Sequence, residues 1–294
     1  MRRREFTRAL ATTALAAAVP VAGESQTNSA QTNGPLKLSV MLWTIYRDLP
    51  FEQRLEKVAE AGYHAVELVG EFKKWSDEDF RRANAKKQSL GITFDATAGL
   101  STSIVDPKAR DAFLAELNTF VGIAKKLECP AIIVLTGNRI ENLPKQAHHD
   151  ACVEALKRAG DIAAKNNLTL LLENIDPEEN PKYYLTSVAE GFEIVRKVGN
   201  PHVKFLYDFF HEQISEGNLI KKLTENIDMV GLVHIADVPG RHQPGTGEIN
   251  YSNIYRKLVE LKYSGYAAME FIPQGDPVAT LRAAREMVNA AVAG

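Results

Sequence analysis

Four residues that can bind a hard metal ion lie in the second half of the chain, each at the end of a short apolar run. They are Glu173, Asp208, His234 and Glu270, and successive members are 35, 26 and 36 residues apart. Each interval is about the length of one strand-and-helix unit. Three carboxylates and one imidazole suit Mg2+ or Mn2+, and they would also accept Zn2+ or Co2+.

The four residues together indicate a metal site more strongly than any one of them does alone. A glutamate at a strand end is often half of an ion pair, and a lone histidine is often a hydrogen-bonded core residue. Clustered carboxylates, however, repel one another unless a cation lies among them. The spacing therefore predicts one divalent-metal site formed by four successive strands.

Three further residues are candidates for contacting a substrate at the same place. His211 follows Asp208 by three residues, which brings its imidazole over the same opening. Arg241 lies in a loop rich in glycine and proline, where its guanidinium can hold a carboxylate or a polarised oxygen. A surface ion pair is the alternative for Arg241. Trp43, after the first apolar run, is placed as a wall of the pocket, with plain packing as its alternative.

The loop that carries Arg241 contains three other polar residues. Asp237 is interpreted as a partner that orients His211 or Arg241. Asn250 is predicted to cap the helix that follows. Glu248 acts either at the opening or as a favourable charge at the helix start, and the sequence leaves this open.

The elements that must position these residues are short apolar runs alternating with longer amphipathic segments. Eight runs are predicted to be strands: Leu38–Leu42, Ala65–Leu68, Ile92–Asp95, Ala131–Leu135, Leu168–Glu173, Lys204–Asp208, Val230–Ile235 and Ala267–Phe271. Helices are predicted over Phe51–Ala61, Asp106–Leu127, Asp150–Ala164, Tyr251–Leu261 and Pro277–Val292, from apolar residues at three- and four-residue spacing.

This alternation predicts a parallel sheet covered by helices, and eight units predict closure into a (β/α)8 TIM barrel. A doubly wound open sheet is the alternative, but no G-x-G-x-x-G follows the first strand. In such a barrel the active site lies at the carboxyl ends of the strands, where the four candidate ligands stand.

The N-terminus differs in kind from the rest of the chain. Residues 1–23 begin with four arginines among the first eight residues and continue into a short apolar stretch of small side chains, which is typical of an export signal. The Arg3-Arg4-Glu5-Phe6 segment resembles a twin-arginine signal, with a disordered basic leader as the alternative. Residues 24–35 read as a flexible linker and 36–294 as one barrel domain. The sequence thus predicts an exported, periplasmic protein without a permanent membrane span.

Composition limits the partners. The chain has 294 residues, of which 45% are hydrophobic and 24% charged, and its formal net charge of -2 gives no reason to expect nucleic-acid binding. Cys129 and Cys152 form neither a disulfide framework nor a thiolate zinc site, so both are expected to be chemically quiet. The expected partner is a small molecule, and a homo-oligomer is left open.

Two segments carry a family resemblance. The loop Ala236–Tyr251 (Ala-Asp-Val-Pro-Gly-Arg-His-Gln-Pro-Gly-Thr-Gly-Glu-Ile-Asn-Tyr) and the segment Leu206–His211 (Leu-Tyr-Asp-Phe-Phe-His) resemble those of hydroxypyruvate isomerase, in the xylose isomerase-like superfamily that includes ketose 3-epimerases. The similarity runs from about Leu36 to the C-terminus. It implies that Glu173, Asp208, His234 and Glu270 hold the metal.

The resemblance also implies that Glu173 and Glu270 act as the acid–base pair of an aldose–ketose type isomerase, with His211 and Arg241 on the substrate. Proton transfer would pass through an enediolate. A ketose or keto-sugar 3-epimerase would use the same residues, and a non-catalytic sugar-binding barrel is the alternative from another class. A three-metal endonuclease would need many more histidine ligands and a basic DNA-binding face, whereas this chain has seven histidines and a net charge of -2.

Overall fold

The structure, a computed structural model, describes residues 34–293 as eight parallel strands closed into a barrel in chain order. The strands are β1 Lys37–Met41, β2 Ala65–Val69, β3 Thr93–Ala98, β4 Ala131–Leu135, β5 Thr169–Glu173, β6 Val203–Asp208, β7 Val230–Ile235 and β8 Tyr266–Met269. β1 pairs with both β2 and β8, which closes the sheet. The predicted TIM barrel is therefore confirmed.

Helices cover the outside of the barrel. Their bounds are α1 Phe51–Glu60, α2 Asp77–Ser89, α3 Arg110–Leu127, α4 Lys145–Lys165, α5 Val188–Val198, α6 Phe209–Ser215, α7 Leu219–Asn226, α8 Tyr251–Glu260 and α9 Pro277–Val292. Several begin at side chains that accept a backbone N–H, including Ser76, Ser187, Asn250 and Asp276. The predicted cap at Asn250 is thus present.

The predicted elements differ from the observed ones mainly at their ends. β3 continues to Ala98, so Asp95, placed by the sequence at a strand end, lies within the strand. α4 begins at Lys145, after Pro144, and not at Asp150. The predicted export signal (1–23) and all but the last two residues of the predicted linker (24–35) lie outside the described residues. Among residues 34–293, no helix combines the length and apolarity needed to cross a membrane.

The sheet buries two separate apolar layers. A large layer lies between the strands and the helices, and a small one fills the barrel interior. The interior layer includes Met41, Leu171, Leu206, Leu232 and Ala268. Because side chains alternate across a strand, the residue two positions after each of these also faces the barrel axis, at its carboxyl end. Those residues are Trp43, Glu173, Asp208, His234 and Glu270.

The two cysteines lie in the apolar surroundings of the barrel. Cys129 follows α3 and Cys152 lies in α4, and both side chains are buried. Burial raises the pKa of each thiol. A thiol that stays protonated is a poor nucleophile and a poor metal ligand, so both cysteines are chemically quiet, as expected.

Glu212 on α6 provides a test of stability against pH. Its carboxylate pairs with Lys222 and is fully buried, and burial raises its pKa from the ordinary 4.5 to about 7. The native state therefore binds more protons than the unfolded state between these values, and this group makes stability fall as pH rises through that window. As the pH rises from 4.5 to 7, we expect the free energy of unfolding of Glu212→Gln, measured relative to that of the parent protein, to increase by about 1–3 kcal/mol.

Urea unfolding at both ends of that window measures this difference. Glu216→Gln is the control, because Glu216 also pairs with Lys222 but its side chain is 40% exposed. A parallel pH dependence of the parent protein and Glu212→Gln would contradict the prediction.

Candidate active site at the carboxyl end of the barrel

The four predicted metal ligands meet at one end of the barrel. One ligand atom from each of Glu173, Asp208, His234 and Glu270 lies within 4.8 Å of the other three, and all four residues are buried. His234 Nδ1 is at the centre, 2.7 Å from Glu270 Oε2, 3.4 Å from Glu173 Oε1 and 3.8 Å from Asp208 Oδ2. Strand parity and the common strand direction together produce this convergence.

The local structure leaves one oxygen of Asp208 for a ligand. Asp208 ends β6 and caps α6, so its Oδ1 accepts the backbone N–H groups of Phe210 (2.7 Å) and His211 (3.3 Å). Its Oδ2 makes no hydrogen bond within residues 34–293. The strand-to-helix turn therefore fixes the carboxylate and leaves one lone-pair site directed at the cluster.

The donor set fits a divalent cation. Asp208 Oδ2, His234 Nδ1 and Glu270 Oε2 are buried and make no hydrogen bond in the part of the chain described, although Glu270 Oε2 is ion-paired with Arg241 Nη2 at 2.8 Å. Buried polar atoms without a partner are costly, and three of them around one point are explained by a shared cation. Oxygen and imidazole ligands would hold Mg2+, Mn2+, Zn2+ or Co2+.

The carboxyl groups differ in their surroundings. Burial raises the pKa of Glu173 against the opposing effect of His234. In Glu270, burial also acts to raise the pKa, but the charges of Arg241 and His234 outweigh it and hold that pKa well below its usual range. Asp208 has a lowered pKa because the charge of His211 and the nearby His234 imidazole outweigh its burial. The two predicted acid–base groups thus lie in different electrostatic environments.

Arg241 reaches the cluster from the loop after β7. Its Nη2 lies 2.8 Å from Glu270 Oε2 and 3.7 Å from Asp208 Oδ2. The guanidinium carbon lies 5.2 Å from the ring centre of Trp43 and 4.9 Å from that of Phe210, so two aromatic faces hold it in place. Arg241 is buried and contacts a metal-ligand candidate, which excludes the surface ion pair considered as its alternative.

Trp43, predicted to form a wall of the pocket, makes a specific hydrogen bond to one of the candidate metal ligands. Its Nε1 donates a 2.6 Å hydrogen bond to Glu270 Oε1. One oxygen of Glu270 is therefore held by Trp43 and the other is directed at His234 and Arg241. The indole thereby fixes the orientation of the carboxylate.

His211 lies beside the cluster and is 1% exposed at its side chain. Its Nδ1 is 2.6 Å from Asp176 Oδ2, and its Nε2 is 3.4 Å from Asp208 Oδ2. Burial alone would lower the pKa of His211, but Asp208 and Asp176 raise it to about 9. A substrate contact for His211 stays a prediction.

The interpretation of Asp237 was wrong. Its carboxylate does not orient His211 or Arg241 but accepts four backbone N–H groups of its own loop, those of Val238, Gly245, Gly247 and Ile249. Gly247 is needed there, because a Cβ would lie 2.0 Å from the Val238 carbonyl oxygen. Asp237 thus holds the loop that carries Arg241. Glu248 accepts a hydrogen bond from Gln213 at an exposed position.

Two acidic residues below the cluster were missed by the sequence analysis. Glu67 Oε2 lies 3.0 Å from His234 Nε2, and Ser39 Oγ donates to Asp95 Oδ1 at 2.5 Å. Burial raises the pKa of Glu67, and burial together with the charge of Glu67 raises that of Asp95 well above its usual range. The sequence did contain a signal, since each is a single charged residue within an otherwise apolar or uncharged strand.

Glu67 sets the tautomer of His234. An ionised Glu67 carboxylate 3.0 Å from Nε2 favours the proton on that nitrogen, which would leave the Nδ1 lone pair for a cation. We expect Glu67→Gln to weaken divalent-metal binding about 10- to 100-fold. Calorimetric titration with Mn2+ measures the loss, and Glu78→Gln, on the exposed surface of α2, is the control. Equal Mn2+ affinities of Glu67→Gln and the parent protein would refute this role.

Comparisons with known proteins agree with this fold. Residues 55–291 match the family described as "Xylose isomerase-like TIM barrel". A Danio rerio protein named "Putative hydroxypyruvate isomerase" is 33% identical over 262 residues, which cover 84% of this chain and 94% of that protein. A 2-oxo-tetronate isomerase of Pectobacterium atrosepticum is 28% identical, covering 81% of this chain and 93% of the relative.

The chain therefore belongs to the xylose isomerase-like TIM barrel family. Its relatives are named isomerases, which indicates that this protein is an isomerase. A solved structure titled as an AP endonuclease of family 2 from Brucella melitensis superposes with a TM-score of 0.77 at 24% identity, covering 84% of this chain and 97% of the other. At that identity the match supports the fold alone.

Proposed function

We propose that this protein is a metal-dependent isomerase that moves a proton between adjacent carbons of a small hydroxy-carbonyl substrate, as hydroxypyruvate isomerase does. Glu173 and Glu270 are the two acid–base groups. The observation that carries the proposal is the convergence of these two glutamates on His234 Nδ1, 3.4 and 2.7 Å away, in one buried cluster with Asp208. The relatives' names support the reaction class.

Each residue has a defined part in the mechanism. Glu173, Asp208, His234 and Glu270 would hold a divalent cation, which would supply stabilisation of the negative charge that develops on the substrate oxygens. One glutamate removes the proton from the carbon next to the carbonyl, and the other returns a proton to the neighbouring carbon. The two roles exchange when the reaction runs in reverse. Trp43 and Arg241 orient the carboxylate of Glu270.

The stereochemical outcome follows from where the second proton is delivered. Delivery to the adjacent carbon gives isomerisation, whereas delivery to the opposite face of the same carbon gives epimerisation. Both outcomes need two acid–base groups around one substrate, so the same site serves a ketose 3-epimerase. The epimerase is therefore the second candidate.

Solvent-deuterium incorporation tests the proposal. The metal-loaded protein is incubated in D2O with hydroxypyruvate, tartronate semialdehyde and a set of ketoses, and the position of deuterium is read by NMR. We expect label at a carbon next to the carbonyl, and product analysis separates isomer from epimer. No exchange at any carbon of any compound would overturn the proposal. If Glu173→Gln leaves the function of the protein intact, the alternative of a non-catalytic sugar-binding barrel is favoured instead.

The predicted export of this protein remains a proposal based on residues 1–23. Detection of the mature protein in the periplasmic fraction would support it, and its retention in the cytoplasmic fraction would refute it.

A further inference from the structure

Arg241, the positively charged side chain at the opening of the site, is already paired with carboxylates of the protein itself. Arg241 Nη1 lies 2.6 Å from Glu179 Oε1, and its Nη2 lies 2.8 Å from Glu270 Oε2. Its Nε is directed at the backbone carbonyl of Glu270, 3.4 Å away. A carboxylate on a substrate would need the paired N–H groups of a guanidinium, and here both ends of that group are bound to acids.

Glu179 differs from the other acid on Arg241. Glu270 belongs to the cluster formed with Glu173, Asp208 and His234, whereas Glu179 lies beside Asp176 and His211 in a separate group. A cation held by the first cluster therefore does not use the carboxylate of Glu179. The side chain of Glu179 is 41% exposed and stands at the open side of the site. Its position is defined by a turn in which Asp176 Oδ1 accepts the backbone N–H groups of Glu178 (2.8 Å) and Glu179 (2.9 Å).

The second possible anchor for an anion is also engaged. Both ring nitrogens of His211 face carboxylates, Asp176 on one side and Asp208 on the other. A divalent cation, Arg241 and a protonated His211 would together bring at most four positive charges. Against them stand five carboxylates at the same opening: Glu173, Asp176, Asp208, Glu179 and Glu270. In this count the carboxylates exceed the positive charges by one even when a metal is bound, which disfavours an anionic substrate.

Three exposed apolar side chains lie at the carboxyl end of the barrel, around the acidic centre. Val69, Leu135 and Ile272 are the large apolar side chains of residues 34–293 that remain most exposed, at 36%, 40% and 45%. Val69 and Leu135 end β2 and β4, and Ile272 follows β8 by three residues, so all three lie at the carboxyl end of the barrel. Apolar side chains around a polar centre suit the C–H faces of a sugar, with acidic oxygens accepting from its hydroxyl groups.

We propose that Glu179, by holding Arg241 and accepting from substrate hydroxyl groups, makes this site select uncharged polyhydroxy ketones over hydroxy-oxo acids such as hydroxypyruvate. This inference rests on the proposed isomerase function and specifies its substrate class. The proposed substrate class differs from the acids, hydroxypyruvate and 2-oxo-tetronate, that appear in the names of its relatives.

The first test compares kcat/KM for ketoses and for hydroxypyruvate in the metal-loaded protein. We expect the ketose to be favoured by at least about tenfold. Glu179→Gln removes one of the two close carboxylates on Arg241 and leaves its Nη1 without a charged partner, so it should raise kcat/KM for hydroxypyruvate about tenfold and lower it for the ketose. Glu178→Gln is the matched control. Glu178 is exposed and adjacent to Glu179, and its substitution leaves the backbone N–H that donates to Asp176 in the turn unchanged. Preference for hydroxypyruvate in the parent protein, or an unchanged ratio in Glu179→Gln, would overturn the proposal.

The second test does not depend on turnover. D-glycerate and D-arabitol, which lack the reacting carbonyl, are titrated calorimetrically into the metal-loaded parent protein, Glu179→Gln and Glu178→Gln. We expect D-arabitol to bind the parent protein more tightly than D-glycerate, and D-glycerate to gain about tenfold in affinity in Glu179→Gln only. Equal affinity of D-glycerate for the parent protein and Glu179→Gln would refute the role of Glu179. Absence of deuterium exchange together with the expected binding pattern would instead refute the isomerase function alone.

Discussion

Replacing Glu270 by glutamine should lower kcat by at least about a thousandfold while leaving the fold intact. The amide oxygen can still accept from Trp43 Nε1, so the side chain keeps one of its anchors. It loses the negative charge that faces His234 and Arg241, and it loses the ability to exchange a proton with the substrate. Steady-state kinetics at saturating metal, with the most active compound of the deuterium set, measures the effect.

Two controls make this result interpretable. Glu248→Gln changes an exposed glutamate of the nearby loop whose side chain accepts a hydrogen bond from Gln213, and it should leave kcat within about twofold of the parent value. Thermal unfolding of Glu270→Gln shows whether the variant is folded. A folded Glu270→Gln protein with parental activity would refute the acid–base role.

Glu173→Gln extends the same test to the second glutamate. We expect a loss of similar size, and the double variant should lose little more than either single one, because residues that act in one proton-transfer sequence are not additive. Fully additive losses would argue that the two glutamates act in separate steps or separate sites.

Removing the metal should abolish turnover and lower thermal stability, and both should return on addition of Mn2+ or Mg2+. Three buried carboxylates around one point repel one another when no cation is present. A cation at about 100 times its Kd stabilises the native state by about 2.7 kcal/mol, which is a readily measured rise in Tm. Metal analysis of the purified protein and thermal unfolding with and without a chelator measure the two effects.

Asp208→Asn is the matching variant. It keeps an oxygen for the cap of α6 but loses the charge of Oδ2, so we expect metal affinity to fall by about 100-fold and the metal-dependent rise in Tm to disappear. The control is Asp228→Asn, which changes an exposed aspartate next to the amino end of β7. This variant should keep the parental metal affinity and the metal-dependent rise in Tm. A Tm that is independent of metal in the parent protein would contradict the metal site.

The comparison of Glu67 with Glu173 shows why some residues of the site could be predicted and others could not. Glu173 ends an apolar run, and the rule that barrel sites lie at the carboxyl ends of strands assigns it to the site. Glu67 lies in the middle of β2, where the same rule gives no assignment. Its contact with His234 crosses the barrel interior between residues 167 positions apart, and a pattern of local spacing carries no information about such a contact.

The amino-acid sequence by itself determined the eight strands, their parallel alternation with helices and the side of each strand that faces the barrel axis. These follow from local periodicity, because alternation across a strand and the common direction of parallel strands leave few choices. Only the tertiary structure decided which groups Arg241, Trp43, Asp237 and Glu179 contact. Those contacts are made by loops of different β-α units, and their geometry depends on how the closed barrel brings the loop ends together.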